Sequence, residues 1–64
     1  MKAFTRYRHQ DTLDTDLFIT KSKQTGAGHW KVYGWIYNRH YNIIHDSGVY
    51  VIRKEDLYKW KVAL

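Results

Sequence analysis

Apolar and polar residues alternate along most of this chain with a period of two, the spacing of a strand with one face buried, rather than every three to four residues as on a helix. Between Phe4 and His9, apolar or aromatic residues alternate with basic ones, which predicts a short edge strand whose charges discourage stray pairing. Asp11 to Asp16 reads as a loop, because Asp and Thr side chains bond to nearby backbone amides. Leu17 to Lys23 predicts a second strand, with Leu17 and Ile19 facing one way and Phe18 and Thr20 the other. Thr25-Gly26-Ala27-Gly28 marks a tight turn, since glycine supplies the positive φ angles that such reversals need. The longest strand follows at Trp30 to Arg39. One of its faces carries Trp30, Val32, Gly34 and Ile36, and the other carries Lys31, Tyr33, Trp35, Tyr37 and Arg39. Gly34 in its middle indicates a bend, a bulge or a close backbone approach.

The second half of the chain continues the pattern. Asn38 to Asn42 reads as a reversal, Ile43-Ile44 opens a strand, Asp46-Ser47-Gly48 reads as another tight turn, and Val49 to Arg53 is a strand rich in β-branched residues. The tail from Lys54 has two readings. Leu57, Trp60 and Leu64 share one face of a short helix, with Glu55 and Asp56 near its N-terminus, whereas Trp60, Val62 and Leu64 also fit a closing strand after a single helical turn. Four to five short strands in 64 residues predict a single all-β domain. It is either a small barrel or a strongly curved antiparallel sheet, with a short helical segment near the C-terminus. The polar hairpin turn, the long bent strand and the Lys-Glu-Asp-Leu turn before Trp60 together resemble SH3-like barrels. The run Tyr37-Asn38-Arg39-His40-Tyr41 and the ending Arg-Lys-Glu-Asp-Leu-Tyr-Lys-Trp look like small bacteriophage-encoded proteins of that kind. The acidic and aromatic signature of proline-peptide-binding SH3 domains is missing, so the resemblance does not extend to that ligand.

Composition narrows the setting. A domain of this size buries only about 60% of the surface its unfolded chain exposes, so disulfides, metals or partner subunits often act as staples. Cysteine is absent, which excludes the first and favours a reducing compartment, the cytoplasm, or the host cytoplasm for a phage-encoded chain. Nothing behind the basic N-terminal residues resembles a signal peptide, and no apolar run approaches the roughly 20 residues that cross a bilayer, so no membrane partner is expected. A homodimer would hide apolar surface that so small a core leaves uncovered.

The residue types needed for catalysis do not assemble into a constellation. There is no cysteine nucleophile, Ser22 and Ser47 lie in no nucleophile elbow, and Gly26 and Gly28 lack the strand, helix and lysine of a phosphate loop. The chain therefore reads as a binding protein rather than an enzyme, with no cofactor. His9, His29, His40 and His45 follow no metal-ligand spacing, and Asp11, Asp14 and Asp16 lack the spacing, glycine and closing glutamate of a calcium loop.

A net charge of +5 attracts polyanions whatever the fold. It matters more here because cations interleave with rings: Lys31, Tyr33, Trp35, Tyr37 and Arg39 form a row in which rings can stack on bases while the ends neutralise phosphates. Arg6 with Arg8 and Lys59 with Lys61 are paired at strand spacing, and pairing of the two ends of the chain would merge them into one positive stripe. Two function classes follow. The first is nucleic-acid binding through this aromatic and basic surface, with little sequence specificity because no recognition helix is evident. The second is a phage-encoded effector that docks on a host protein and inhibits or redirects it, with the same surface as its hot spot.

Overall fold

The alternating segments pair into one antiparallel sheet of five strands: β1 (Thr5–His9), β2 (Thr15–Gln24), β3 (Trp30–Asn38), β4 (Ile43–Ile52) and β5 (Trp60–Val62). The computed structural model describes residues 1–12, 14–41 and 43–63, and His45 in its backbone alone. Leu13 in the expected first loop, Asn42 in the expected reversal and Leu64 on the expected tail face lie outside the described residues. The strands run as a meander from β1 to β4. After β4 a 3₁₀ turn (Lys54–Lys59) carries the chain back so that β5 lies beside β1, giving the order β4-β3-β2-β1-β5. The tail thus combines both expected forms, a short helical turn and then a strand.

The sheet stays open and the barrel alternative does not form, because its edge strands β4 and β5 share no ladder. Two local features mark the open edges. β5 has only three residues, all paired with β1 (Tyr7 with Val62, Arg8 with Lys61, His9 with Trp60). Past the end of β4, the Lys54 N–H donates to the His29 ring Nδ1 at 3.0 Å instead of extending the strand.

Alternation decides which face is the core. Tyr7, Leu17, Ile19, Val32 and Ile52 are buried on one side, with Trp30, Ile36, Leu57, Trp60 and Met1 packed around them. Of the two faces of β3, the one carrying Trp30, Val32, Gly34 and Ile36 is therefore the core face, a choice the sequence left open. With so few buried side chains each one matters: truncating a core leucine costs about 2 to 5 kcal/mol, a large part of a small domain's stability.

Gly34 shows why β2 and β3 can lie so close. A Cβ built there would collide with the Phe18 carbonyl oxygen on β2, so only glycine fits. Beside it the register slips: Ile19 pairs with Gly34 but Lys21 pairs with Tyr33, leaving Thr20 as the extra residue of a bulge. The Thr20 hydroxyl donates to the Tyr33 carbonyl at 3.0 Å.

Two segments differ from the expectation. Asp46-Ser47-Gly48 is not a turn, and β4 runs through it because β3 supplies partners for all three residues (Ile36, Trp35 and Gly34). The turn-like bond from the Ser47 N–H to the Asp46 carboxylate survives inside the strand at 2.8 Å, and Gly48 takes a positive φ of 149°. Likewise Thr15 and Asp16 belong to β2 rather than to the preceding loop, since β3 pairs with both.

Gly34→Ala is expected to abolish the cooperative thermal transition, because the new methyl group meets backbone rather than a side chain that could move. Gly26→Ala is the control. It meets nothing within 4 Å and should melt within a few degrees of the parent chain.

Candidate functional site

The face opposite the core gathers the rings and the cations. Cross-strand pairs place Arg6 beside Phe18 and Phe18 beside Trp35, then Arg8 beside Asp16 and Asp16 beside Tyr37. Lys21 lies beside Tyr33, Lys23 beside Lys31, and Lys61 joins from β5 beside Arg8. Phe18 and Trp35 stack with centroids 5.4 Å apart and planes 17° from parallel. The Arg6 guanidinium lies 4.7 Å from the Tyr37 ring centroid, and the Lys21 and Lys31 ammonium groups lie 5.6 and 5.8 Å from that of Tyr33. All four rings are half-buried, whereas Lys21, Lys23, Lys31 and Lys61 are exposed. The Trp35 indole N–H is buried without an acceptor among the described residues.

One carboxylate belongs to this face. Asp16 is wholly buried, and its Oδ2 accepts from Arg6 Nε at 2.8 Å while its Oδ1 accepts from Arg8 Nε at 3.1 Å. Burial by itself would raise its pKa, but the hydrogen bonds and charges of Arg8 and Arg6 outweigh that and hold the carboxyl below its usual range. Of the other five acids, Asp14 stands just before β2 and four lie elsewhere. Asp56 and Glu55 pair with Arg53, and Asp11 and Asp56 pair with Lys59, so that region neutralises itself. Asp46 shares the side of Ile36. Within the paired strands the aromatic face carries six cations, Arg6, Arg8, Lys21, Lys23, Lys31 and Lys61, against the single carboxylate of Asp16.

The structure therefore brings together Lys31, Tyr33, Trp35, Tyr37, Arg6, Arg8 and Lys61 from the sequence-based set. The two ends of the chain do pair, and Arg8 opposite Lys61 joins the two basic clusters. Two members lie outside the strands. Arg39 lies just past the end of β3, where its N–H donates to the Asp14 carbonyl, and Arg6 supplies a cation over the Tyr37 ring. Lys59 sits on the 3₁₀ turn, 3.5 Å from Asp11. The sequence-based set omits Phe18, Asp16, Lys21 and Lys23. Phe18 and Asp16 were accessible to alternation from the neighbouring Leu17. The two lysines were not, because regular alternation puts them on the core side and only the bulge at Thr20 turns them over.

The histidines that are described serve local roles. His9 accepts the Asp11 N–H and meets Trp60 edge-on at 4.8 Å, and His29 accepts the Lys54 N–H. A groove of about 450 Å³ opens at the β2–β3 end of the aromatic face, lined by Lys21, Lys23, Gln24, Thr25, Gly26, Lys31 and Tyr33. No helix of the described residues is long and apolar enough to cross a membrane. Comparison with protein-family models, curated proteins and solved structures found no match to this chain.

Asp16 predicts an acid-sensitive fold. Its pKa is lowered on folding, so its contribution is fully present above the unfolded value near 3.8 and is lost as pH falls through the lower native one. The thermal midpoint should drop below about pH 4, and Asp16→Asn should flatten that drop. At pH 7, Asp16→Ala is expected to cost roughly 1 to 3 kcal/mol by chemical denaturation. The cost is moderated because Arg6 and Arg8 are 34% and 38% exposed and water can take over part of their solvation.

Proposed function

We propose that this chain is a non-catalytic nucleic-acid-binding module that uses its aromatic and basic sheet face with little sequence discrimination. The observation that carries the reading is the segregation of charge on the paired strands: six cations share the face of Tyr33, Trp35 and Tyr37, and Asp16 is the one carboxylate within those strands that shares it. Such a face attracts phosphates through counterion release and offers rings to bases without reading their edges. Low specificity fits the only helical element among the described residues, a 3₁₀ turn of six residues with nothing to insert into a major groove.

A second reading, a phage-type effector that docks on a host protein, draws support from β4. This edge strand leaves Ile43, Ile44, Val49 and Val51 exposed beside an unpaired backbone edge, a surface suited to strand addition.

An electrophoretic titration across salt separates the two. Nucleic-acid binding is expected to weaken steeply with salt, and Lys31→Gln with Lys61→Gln should lower affinity and reduce the salt slope by about 1.5. Lys59→Gln, off the face, should change neither. Binding that ignores salt, or that responds to Lys59 as strongly as to Lys31 and Lys61, would move the protein-partner reading to first place.

A further inference from the structure

We infer that the groove at the β2–β3 end of this face is built for an unpaired nucleotide of a single strand, with the phosphate held by Lys21, Lys23 and Lys31 and the base laid on Tyr33. The inference rests on the nucleic-acid reading above and narrows it from polyanions in general to single strands. Three observations converge on it.

The two ends of the face differ in free charge. At one end Arg6 and Arg8 are bonded to Asp16, which cancels part of their field and uses part of their donor capacity. At the other end three exposed lysines surround the groove and no carboxylate lines it. An incoming phosphate therefore meets its strongest uncompensated field beside Tyr33.

The ring is placed for stacking. Tyr33 lines the groove, and the lysine ammonium groups lie 5.6 and 5.8 Å from its centroid, so a base on the ring brings its own phosphate within their reach. Across the ladder Val49 is 49% exposed, which extends the apolar floor under a planar ligand.

The shape excludes a duplex from the same contact. In a duplex the flat faces of the bases are already stacked on one another, so a ring on an open sheet cannot reach them. Entering a groove would require a projecting helix or a two-stranded ribbon, and Tyr33 lies within a five-stranded sheet.

The test uses the full chain and end-labelled oligonucleotides of roughly 12 nucleotides, long enough for the site sizes of such surfaces. They are oligothymidylate, oligouridylate, and oligothymidylate annealed to its complement. The expected result is tighter binding of a single strand than of the duplex by about fivefold or more, with the tighter of the two single strands identifying the preferred sugar. Tyr33→Leu, shown to be folded by its circular dichroism, should remove that preference, and Lys21→Gln with Lys23→Gln and Lys31→Gln should reduce the salt slope on the single strand by about 2. Irradiation of the parent chain with a 5-iodouracil oligonucleotide should place the crosslink on Tyr33, a readout that needs no variant to fold. Equal or tighter duplex binding, an unchanged preference in folded Tyr33→Leu, or crosslinks confined to other residues would each overturn the inference. If the duplex still binds in a salt-dependent way that needs Lys31 and Lys61, the broader nucleic-acid reading stands without it. If none of the three probes binds, both fall.

Discussion

A single sheet has two faces, and the described residues outside the strands cover one of them. Here the covering pieces are the N-terminal residues around Met1 and the 3₁₀ turn that brings Leu57 over the core, with Trp60 just beyond it. Among the described residues no second layer lies over the other face. Its rings are covered within the sheet: Phe18 and Trp35 cover one another by stacking, and lysine and arginine side chains lie over Tyr33 and Tyr37. Cations near exposed rings are worth only about 0.5 to 1 kcal/mol each. Their charged ends remain available to water, or to an anion that displaces it.

Asp16 makes this face uneven. A buried carboxylate is costly unless it is fully bonded, and each of its oxygens finds a guanidinium, so Arg6 and Arg8 are held in fixed orientations. Holding them costs free charge at that end. The lysines around Tyr33 have no such partner among the groove-lining residues, so their field there is not cancelled. One device thus anchors the fold at the β1 side and leaves the β2–β3 end as the more attractive place for a phosphate.

Much of this arrangement was legible in the residue pattern, because one-sided burial writes itself as alternation. The strands and the two faces of β3 follow directly from Trp30, Val32 and Ile36 set against Lys31, Tyr33 and Trp35, and Gly34 announced the close approach that its missing Cβ permits. What escaped depends on partners distant in sequence. Asp46-Ser47-Gly48 has turn chemistry, yet the ladder supplied by β3 overrides it, as tertiary context often overrides local preference. The side on which Lys21 and Lys23 emerge depends on one extra residue, Thr20, and a bulge inverts every side chain after it. Barrel closure depended on whether β5 would meet β4 as well as β1, a contact between distant segments that the tail's mixed periodicity did not reveal.

The apolar side chains of β4 fit the same account. Ile44, Val49 and Val51 stand opposite Tyr37, Tyr33 and Lys31, so they continue the aromatic face to the open edge rather than forming a separate patch. Exposed apolar surface beside an unpaired strand edge is an aggregation hazard in most sheets. Here it borders a dense field of like charge, and two copies approaching through these faces would bring six cations against six. Like charge of that kind opposes contact between two copies through this face, and under the nucleic-acid proposal a stacked ligand would cover the residues that a second sheet layer would otherwise have hidden.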